Sequence, residues 1–334
     1  MATVAEDRTL SVLEARPRFE GSNICTWIGF KHVMYLVEEA VLDHLRQSGR
    51  TPRRLFEDHG LCVEIVDSRA RILHALHMDD LVRCEVQALP PSETGELMFR
   101  VTVHVDRDQP LKAVTATVRV VLRRTADAGE PPAELAPHTV PEIVRGTAPV
   151  ERLREELGLA PEPAPEEVAR ALLGDANGLV WRWRIPYFYC HFSERIQHSG
   201  YLRLMEEVVD IFLRERGISI RTMLDRQQWI PVVPAARVEI LREGLMEEDI
   251  YTVYTVTDVF KDVTYTARMD CFVWRGDRAV QIATGSITHG YAVIQNRRDW
   301  KLVSFDAPVL DAFHGRGVAR QNVVASSAAA VTRS

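Results

Sequence analysis

The stretch Leu36–Gly49 (LVEEAVLDHLRQSG) returns 168 positions later as Leu204–Gly217 (LMEEVVDIFLRERG). With the same shift, residues 36–82 lie over 204–250 without a gap, and twelve of the 47 pairs are identical. In each stretch the apolar residues recur at helical spacing and a glycine ends the run. The sequence therefore predicts a duplication in which each copy contains an amphipathic helix of about fourteen residues.

Strand-like stretches follow both helices, because Thr, Val, Tyr and Ile alternate there with polar residues. Strands are predicted at Leu61–Val66, Ala70–Leu76, Leu81–Val86, Leu97–Val105 and Ala113–Leu122, and again at Ile230–Val233, Val238–Leu241, Ile250–Thr257, Val263–Trp274 and Ala279–Tyr291. A second match, Lys112–Arg119 over Lys261–Arg268 at a shift of 149, predicts 19 additional residues near 88–96 in the first copy. One helix followed by an antiparallel sheet, twice in one chain, predicts the α+β class.

Composition divides the chain into four segments. We predict a first unit at 17–125, a connector rich in proline and alanine at 126–180, a second unit at 181–296 and a C-terminal tail at 297–334. Within the connector, Val150–Leu157 and Pro165–Leu173 are predicted to be short helices, the second with proline near its start. The end of the tail, 326–334, is rich in alanine and serine and is expected to be disordered.

Composition and motifs also exclude several classes of protein. A net charge of -6 and a pI of about 6.0 argue against a nucleic-acid binder. No apolar run is long enough for a membrane span, and the first residues lack the apolar core of a secretory signal. The five scattered cysteines favour reduced thiols in the cytoplasm. Because dinucleotide, Walker, HExxH and GxSxG motifs are absent, we expect neither a cofactor nor a metal, and no motif supports a serine hydrolase.

The residues around each helix start form a recognisable pattern. The second copy contains Phe192-Ser193-Glu194, then His198-Ser199-Gly200-Tyr201-Leu202, then Glu206-Glu207; the first contains His32, Tyr35, and Glu38-Glu39. This pattern resembles the acyl-CoA and acyl-carrier-protein thioesterase superfamily in its double-hotdog form, where a similar His-x-x-Tyr precedes a glutamate on the central helix. The resemblance implies two copies of a long central helix wrapped by an antiparallel sheet. It also implies an acyl-CoA or acyl-carrier-protein substrate and the possibility of a homodimer.

The resemblance makes His198 and His32 candidate catalytic residues, since both lie near a helix start. There the positive end of the helix dipole favours a neutral imidazole that accepts a proton. The acidic candidates are Glu194, which replaces the usual upstream aspartate of such thioesterases, and one member of each helical pair, with Glu39 and Glu207 as catalytic candidates. Tyr35 and Tyr201 either bind substrate or pack against the core. The alternative for the glutamates is a structural role in ion pairs with arginine.

Three functions are compatible with this pattern. The first is hydrolysis of a thioester that joins an acyl or polyketide chain to CoA or to a carrier protein, with the chain lying between the two copies. Hydration or dehydration of a β-hydroxyacyl thioester is the second, although the motif His-x-x-x-Gly-x-x-x-x-Pro, which is usual in such enzymes, does not occur at His32 or His198. The third is non-hydrolytic acyl binding or acyl transfer, which the missing aspartate favours.

Overall fold

The structure, a computed structural model, describes residues 10–146, 151–192, 194–316 and 323–325. These residues form two compact units. Unit 1 comprises the described chain up to Ile143 together with Gln197–Leu202 and Val232–Ile240. Unit 2 comprises the described parts of Val144–Ile196, Arg203–Pro231 and the chain from Leu241 onward. Two short segments of the second sequence copy therefore belong to unit 1.

Six α-helices and fourteen strands are assigned among the described residues. The first half contains β1 (Leu10–Ala15), α1 (Phe30–Gln47), α2 (Pro52–His59), β2 (Leu61–Ile72), β3 (Val82–Leu89), β4 (Leu97–Asp106), β5 (Pro110–Arg124) and β6 (Thr139–Val140). The second half contains β7 (Glu151–Leu153), α3 (Pro165–Leu173), β8 (Gly178–Arg184), α4 (His198–Glu215), α5 (Ile220–Gln227), β9 (Trp229–Ile240), β10 (Asp249–Phe260), β11 (Thr264–Arg275), β12 (Arg278–Gln295), β13 (Asp299–Leu302), α6 (Ala307–His314) and β14 (Val323–Ala325).

The element bounds confirm the duplication. α4, α5 and β9 begin and end 168 positions after α1, α2 and β2. The predicted α+β class is also confirmed, with strands that pair almost entirely antiparallel. Both long helices have 18 residues, more than predicted, because each begins about one turn before its apolar repeat.

Unit 1 contains an antiparallel sheet in the strand order β1-β3-β4-β5-β2-β9. Helix α1 packs on β1, β2, β3 and β4. Its packing face is made of fully buried small and branched side chains, among them Val33, Val37, Ala40 and Val41. Burial of these apolar side chains fixes the rotation of α1 about its axis, and that rotation decides which of its polar residues face the interior.

Unit 2 contains the antiparallel order β12-β11-β10-β8, with β14 parallel to β8 and with β7 and β13 along β12. Its core is rich in aromatic residues. Tyr254, Tyr265 and Tyr291 are fully buried, and the ring of Phe313 from α6 stacks on Tyr265 at a centroid distance of 3.9 Å. None of the helices in the described ranges combines the length and the apolar character needed to cross a membrane.

The second sequence match is wrong. Residues 112–119 lie in β5, whereas 261–268 begin in the turn before β11, and in chain order the equivalent of β5 is β12. The match therefore compares strands that are not equivalent, and the predicted 19-residue insertion does not exist. Alternating Thr and Val recur in any half-buried strand, so a short match of this composition does not fix the register of a repeat.

Other boundaries show where local patterns are reliable. The helix predicted at Pro165–Leu173 is confirmed residue for residue, whereas most of Val150–Leu157 forms β7 and a turn. The strands predicted separately in 61–76 and in 230–241 are two continuous strands, β2 and β9. The tail contains β13 and α6, and its end, 326–334, lies outside the described residues.

Candidate active site

A chain of hydrogen bonds in unit 1 joins three side chains. His198, the first residue of α4, has its Nδ1 3.0 Å from Glu38 Oε2 and its Nε2 2.6 Å from Ser68 Oγ. His198 and Ser68 are 3% and 2% exposed, and the Glu38 side chain is 24% exposed. The hydrogen bonds thus lead from a partly exposed glutamate to a buried serine.

The position of Glu38 follows from the rotation of α1. Neighbouring helix residues are about 100° apart around the axis, so only one of two adjacent glutamates can lie beside the buried face. Glu38 lies next to buried Val37 and its carboxylate contacts His198. Glu39 is exposed and forms an ion pair with Arg46 at 3.4 Å.

Ser68 is held in the sheet from both sides. On β2 it lies opposite Val118 of β5 and Val238 of β9. The β2–β5 register shifts between Ile65 and Asp67, immediately before Ser68, as a β-bulge does. A bulge turns the side chains that follow it to a new direction, and bulges are frequent next to active sites.

A network of ion pairs anchors β2 beside Ser68. Asp67, which precedes it, accepts two hydrogen bonds from the Arg237 guanidinium, at 3.0 and 2.8 Å. Arg237 also contacts Glu239 at 2.7 Å, and Arg119 contacts Asp67 at 3.8 Å. The hydrogen bond from Arg237 to Asp67 raises the pKa of this guanidinium. Bidentate contacts of this kind fix geometry as well as charge.

The two contacts of His198 define its tautomer. A carboxylate only accepts hydrogen bonds, so Nδ1 donates its proton to Glu38. The lone pair of the neutral ring is then on Nε2, where it accepts the hydroxyl proton of Ser68. Glu38 can stabilise an imidazolium, and His198 can take a proton from Ser68 and return it, so the three residues form an acid–base relay.

Two further predicted residues adjoin this relay. The Tyr35 hydroxyl donates to the backbone carbonyl of Ser199, the residue after His198, at 3.4 Å. His32 is almost buried and meets the Tyr35 ring edge-on at a centroid distance of 5.2 Å. A Cβ atom at Gly21 would lie 2.6 Å from His32 Cγ, so this imidazole needs a glycine at position 21.

The structure does not bring the remaining predicted residues to His198 through any contact it describes. Tyr201 is fully buried. Glu207 and Glu194 are exposed residues of unit 2. The Glu194 backbone carbonyl accepts from the Met246 N–H at 2.6 Å. Burial raises the pKa of the Cys190 thiol, and the negative charge of the Glu194 carboxylate raises it further. The roles proposed for these residues, and for His32, Glu39 and Tyr35, remain predictions.

Sequence reasoning missed Ser68, and from the first glutamate pair it named Glu39 as the catalytic candidate, whereas the glutamate that contacts His198 is Glu38. The glutamate pair is repeated at both positions, as Glu38 over Glu206 and Glu39 over Glu207, so the duplication marks the pair without selecting Glu38. Ser68 has no such signal, because the equivalent residue of the second copy is Ala236 and no motif surrounds it.

Solved structures with the same fold place this geometry in context. No protein-family model matches the sequence, and no curated protein does. The 12:0-ACP thioesterase from Umbellularia californica aligns with a TM-score of 0.56 at 11% identity, covering 88% of this chain and 98% of that chain. A structure described as an oleoyl thioesterase from Lactobacillus plantarum has a TM-score of 0.53 at 12% identity, covering 84% and 95%. An acyl-ACP thioesterase from Bacteroides thetaiotaomicron has a TM-score of 0.53 at 9% identity, covering 86% and 100%.

At these identities the likeness is one of fold, and it extends over most of the chain. It confirms the resemblance to the hotdog-fold thioesterases as a resemblance of fold. The chemistry must be argued from this chain's own residues.

Proposed function

We propose that this protein hydrolyses the thioester between an acyl chain and the thiol of CoA or of an acyl carrier protein. The observation that carries the proposal is the buried relay from Glu38 through His198 to Ser68, in a chain with the fold of acyl-ACP thioesterases. A thioester is cleaved when an oxygen nucleophile loses its proton to a base as it attacks the carbonyl carbon. His198 is such a base, with its lone pair directed at a hydroxyl.

In this mechanism Glu38 is a positioning residue. Its carboxylate holds the imidazole in the tautomer with a free acceptor at Nε2 and stabilises the imidazolium that forms. As the carbon–oxygen bond forms, the proton passes to Nε2, and as the carbon–sulfur bond breaks, the same proton passes to the leaving sulfur. The N–H groups at the start of α4 provide the positive end of a helix dipole for the oxyanion.

The proposal includes the arrangement expected from the sequence. Each repeat, 17–125 and 181–296, would be a hotdog unit with α1 or α4 as its central helix. The matching order of helices and strands in the two repeats supports this arrangement. The chain on the thioester would be a fatty acyl or polyketide group.

The test is thiol release from a panel of acyl-CoA and acyl-carrier-protein substrates of different chain lengths. We expect turnover by the wild type and a loss of about 10³-fold in kcat/KM for His198→Ala, because the base is removed. His59→Ala, which changes an exposed histidine of α2, is the matched control and should retain wild-type activity. Wild-type rates in His198→Ala would contradict the proposal, and so would retention of intact thioester by a protein that releases no thiol.

A further inference from the structure

The geometry points to Ser68 Oγ as the nucleophile, so that thioester cleavage passes through an acyl ester on Ser68. This inference rests on the proposed function and deepens it. It concerns which oxygen attacks the carbonyl carbon, and it assigns a covalent step to a residue that lies on a strand rather than in a nucleophile elbow.

The first argument is that both nitrogens of His198 are occupied. Nδ1 donates to Glu38 and Nε2 accepts from Ser68, which leaves the neutral ring no further lone pair. A water molecule can reach Nε2 only by displacing the Ser68 hydroxyl. The proton that His198 is placed to remove is therefore the proton of Ser68.

The second argument is the fixed position of that hydroxyl. Ser68 lies between two paired strands, and the preceding residue of β2, Asp67, is held by the Arg237 guanidinium. Displacing Ser68 Oγ from Nε2 would require its backbone to move or its side chain to rotate against packed neighbours, since the residue is only 2% exposed. The distances of 2.6 and 3.0 Å lie within the range of about 2.6–3.2 Å typical of activated nucleophiles and their bases.

The chemistry balances without any additional reagent. Ser68 Oγ bonds to the thioester carbonyl carbon and its proton moves to Nε2; the carbon–sulfur bond then breaks and the sulfur takes that proton. This first half leaves an oxygen ester on Ser68 and releases the thiol. In the second half, a water gives a proton to Nε2 and attacks the ester carbonyl. The Ser68 oxygen leaves and recovers the proton, which yields the free acid.

Unit 1 offers a matched control in a second buried serine–histidine pair. Ser11 Oγ of β1 lies 2.8 Å from His44 Nδ1 of α1, and both residues are buried. Burial and contact with an imidazole are thus common to Ser11 and Ser68. Ser11→Ala therefore separates a general effect of losing a buried hydroxyl from a specific effect at Ser68.

The test uses the full chain and two probes. A small alkyl fluorophosphonate, which bonds to activated serines, is expected to label Ser68 in the wild type, as located by peptide mass spectrometry. Labelling should be lost in His198→Ala and retained in Ser11→Ala. Acid quench of the wild type during turnover of acyl-CoA should trap the acyl group on the peptide that contains Ser68.

The rates give an independent readout. Thiol release should fall by about 10³-fold or more in Ser68→Ala and by less than about threefold in Ser11→Ala. Ser68→Cys should still accept the acyl group, as a thioester, which shows that a loss in Ser68→Ala is chemical and not a failure to fold. Near-wild-type thiol release by Ser68→Ala, or labelling of a different serine, would overturn the inference.

The two proposals fail in different ways. Thiol release that depends on His198 but leaves no adduct on Ser68 and survives Ser68→Ala would overturn the nucleophile and leave hydrolysis standing. Absence of thiol release from every substrate would overturn the hydrolase. In that case fluorophosphonate labelling of Ser68, which needs no thioester, would still support an activated serine. Absence of labelling at Ser68 would overturn the inference that this serine is activated.

Discussion

The two repeats share the same order of helices and strands but differ at the residues that form the relay. At a separation of 168 positions, Glu38 matches Glu206, whereas His198 matches Phe30 and Ser68 matches Ala236. Glu38 and Ser68 thus come from the first repeat and His198 from the second. Of their three equivalents in the opposite repeats, only Glu206 has a functional group that could take part in acid–base chemistry. The comparison teaches that repetition marks the glutamate pair without selecting one member, while the unmatched residues His198 and Ser68 complete the relay in one copy only.

The cores of the two units differ in a second way. In unit 1 the buried positions of the sheet are filled largely by valine, at Val82, Val86, Val101, Val103, Val105, Val114, Val118 and Val120. Unit 2 instead buries tyrosine hydroxyls and the imidazole of His289, which stacks on Tyr265 at 5.3 Å. Burial raises the pKa of Tyr254, Tyr265 and Tyr291 and lowers the pKa of His289 to about 3, so these groups stay neutral. The polar groups of unit 2 are therefore expected to affect stability rather than catalysis.

The largest effect should separate the two glutamates. Glu38→Gln is expected to lower kcat for thiol release by about 10²-fold, because an amide cannot stabilise the imidazolium. Its equivalent in the second repeat, Glu206→Gln, should stay within about threefold of the wild type.

A second variant must distinguish a loss of the Glu38 charge beside His198 from a failure of the protein to fold. Glu38→Asp, which keeps the charge, should recover part of kcat with little change in KM. Equal losses in Glu38→Gln and Glu206→Gln would break the comparison, since the two repeats would then contribute alike.

A smaller effect is expected from the buried histidine of unit 2. The unfolded chain takes up a proton at His289 near pH 6.5, whereas the folded protein does so only near pH 3. Below pH 6.5 the unfolded state therefore binds more protons, and the free energy of unfolding falls as the pH is lowered, by up to about 1.4 kcal/mol per pH unit.

His289→Phe should flatten this dependence, because the ring stacking is retained and the titrating group is removed. Urea unfolding at pH 7.5 and pH 5 measures the change in both proteins. His59→Phe, at an exposed position, should leave the slope unchanged. A wild-type slope that survives in His289→Phe would show that this imidazole is not the group that the folded protein keeps neutral.

The smallest effect is expected at the anchor of β2. Asp67→Asn should lower the free energy of unfolding by about 1 kcal/mol, because Arg237 loses a bidentate partner but is partly solvated. Thiol release should fall several-fold as well, since Ser68 is the next residue.

Glu57→Gln removes the exposed Arg53–Glu57 pair and is the control, with an expected change below about 0.5 kcal/mol. Chemical denaturation and steady-state rates measured on the same preparations check both values. If Asp67→Asn changes stability and leaves the rate intact, the network supports the sheet without positioning Ser68.

Much of the fold was predictable because it rests on periodicity. The apolar repeats in α1 and α4, and the proline at the start of α3, are local signals that tertiary contacts did not override. The prediction divided β9 into 230–233, which includes Pro231, and 238–241, and it left out 234–237, which begins with Pro234. The strand pairs with β2 only over 235–239, beyond both prolines, so their missing donors cost no hydrogen bond in that ladder.

The site was predictable only in part, for a different physical reason. His198 could be found because a histidine at a helix start has a local sequence context. Ser68 could not, since its partner is 130 residues away in the sequence and the contact depends on the register of β2 and the rotation of α4. The choice between Glu38 and Glu39 likewise depends on which side of α1 is buried. These two residues are adjacent in the sequence but point in different directions from the helix axis.

The mixed origin of the relay has a consequence for how the gene can be divided. Neither half of the reading frame encodes the complete relay, because the first half encodes Glu38 and Ser68 and the second half encodes His198. Separate expression of the two halves should yield inert polypeptides, and only their recombination in one tube could restore turnover. Substitutions that inactivate opposite halves should fail to complement each other when two defective full-length chains are mixed, because each relay forms within a single chain.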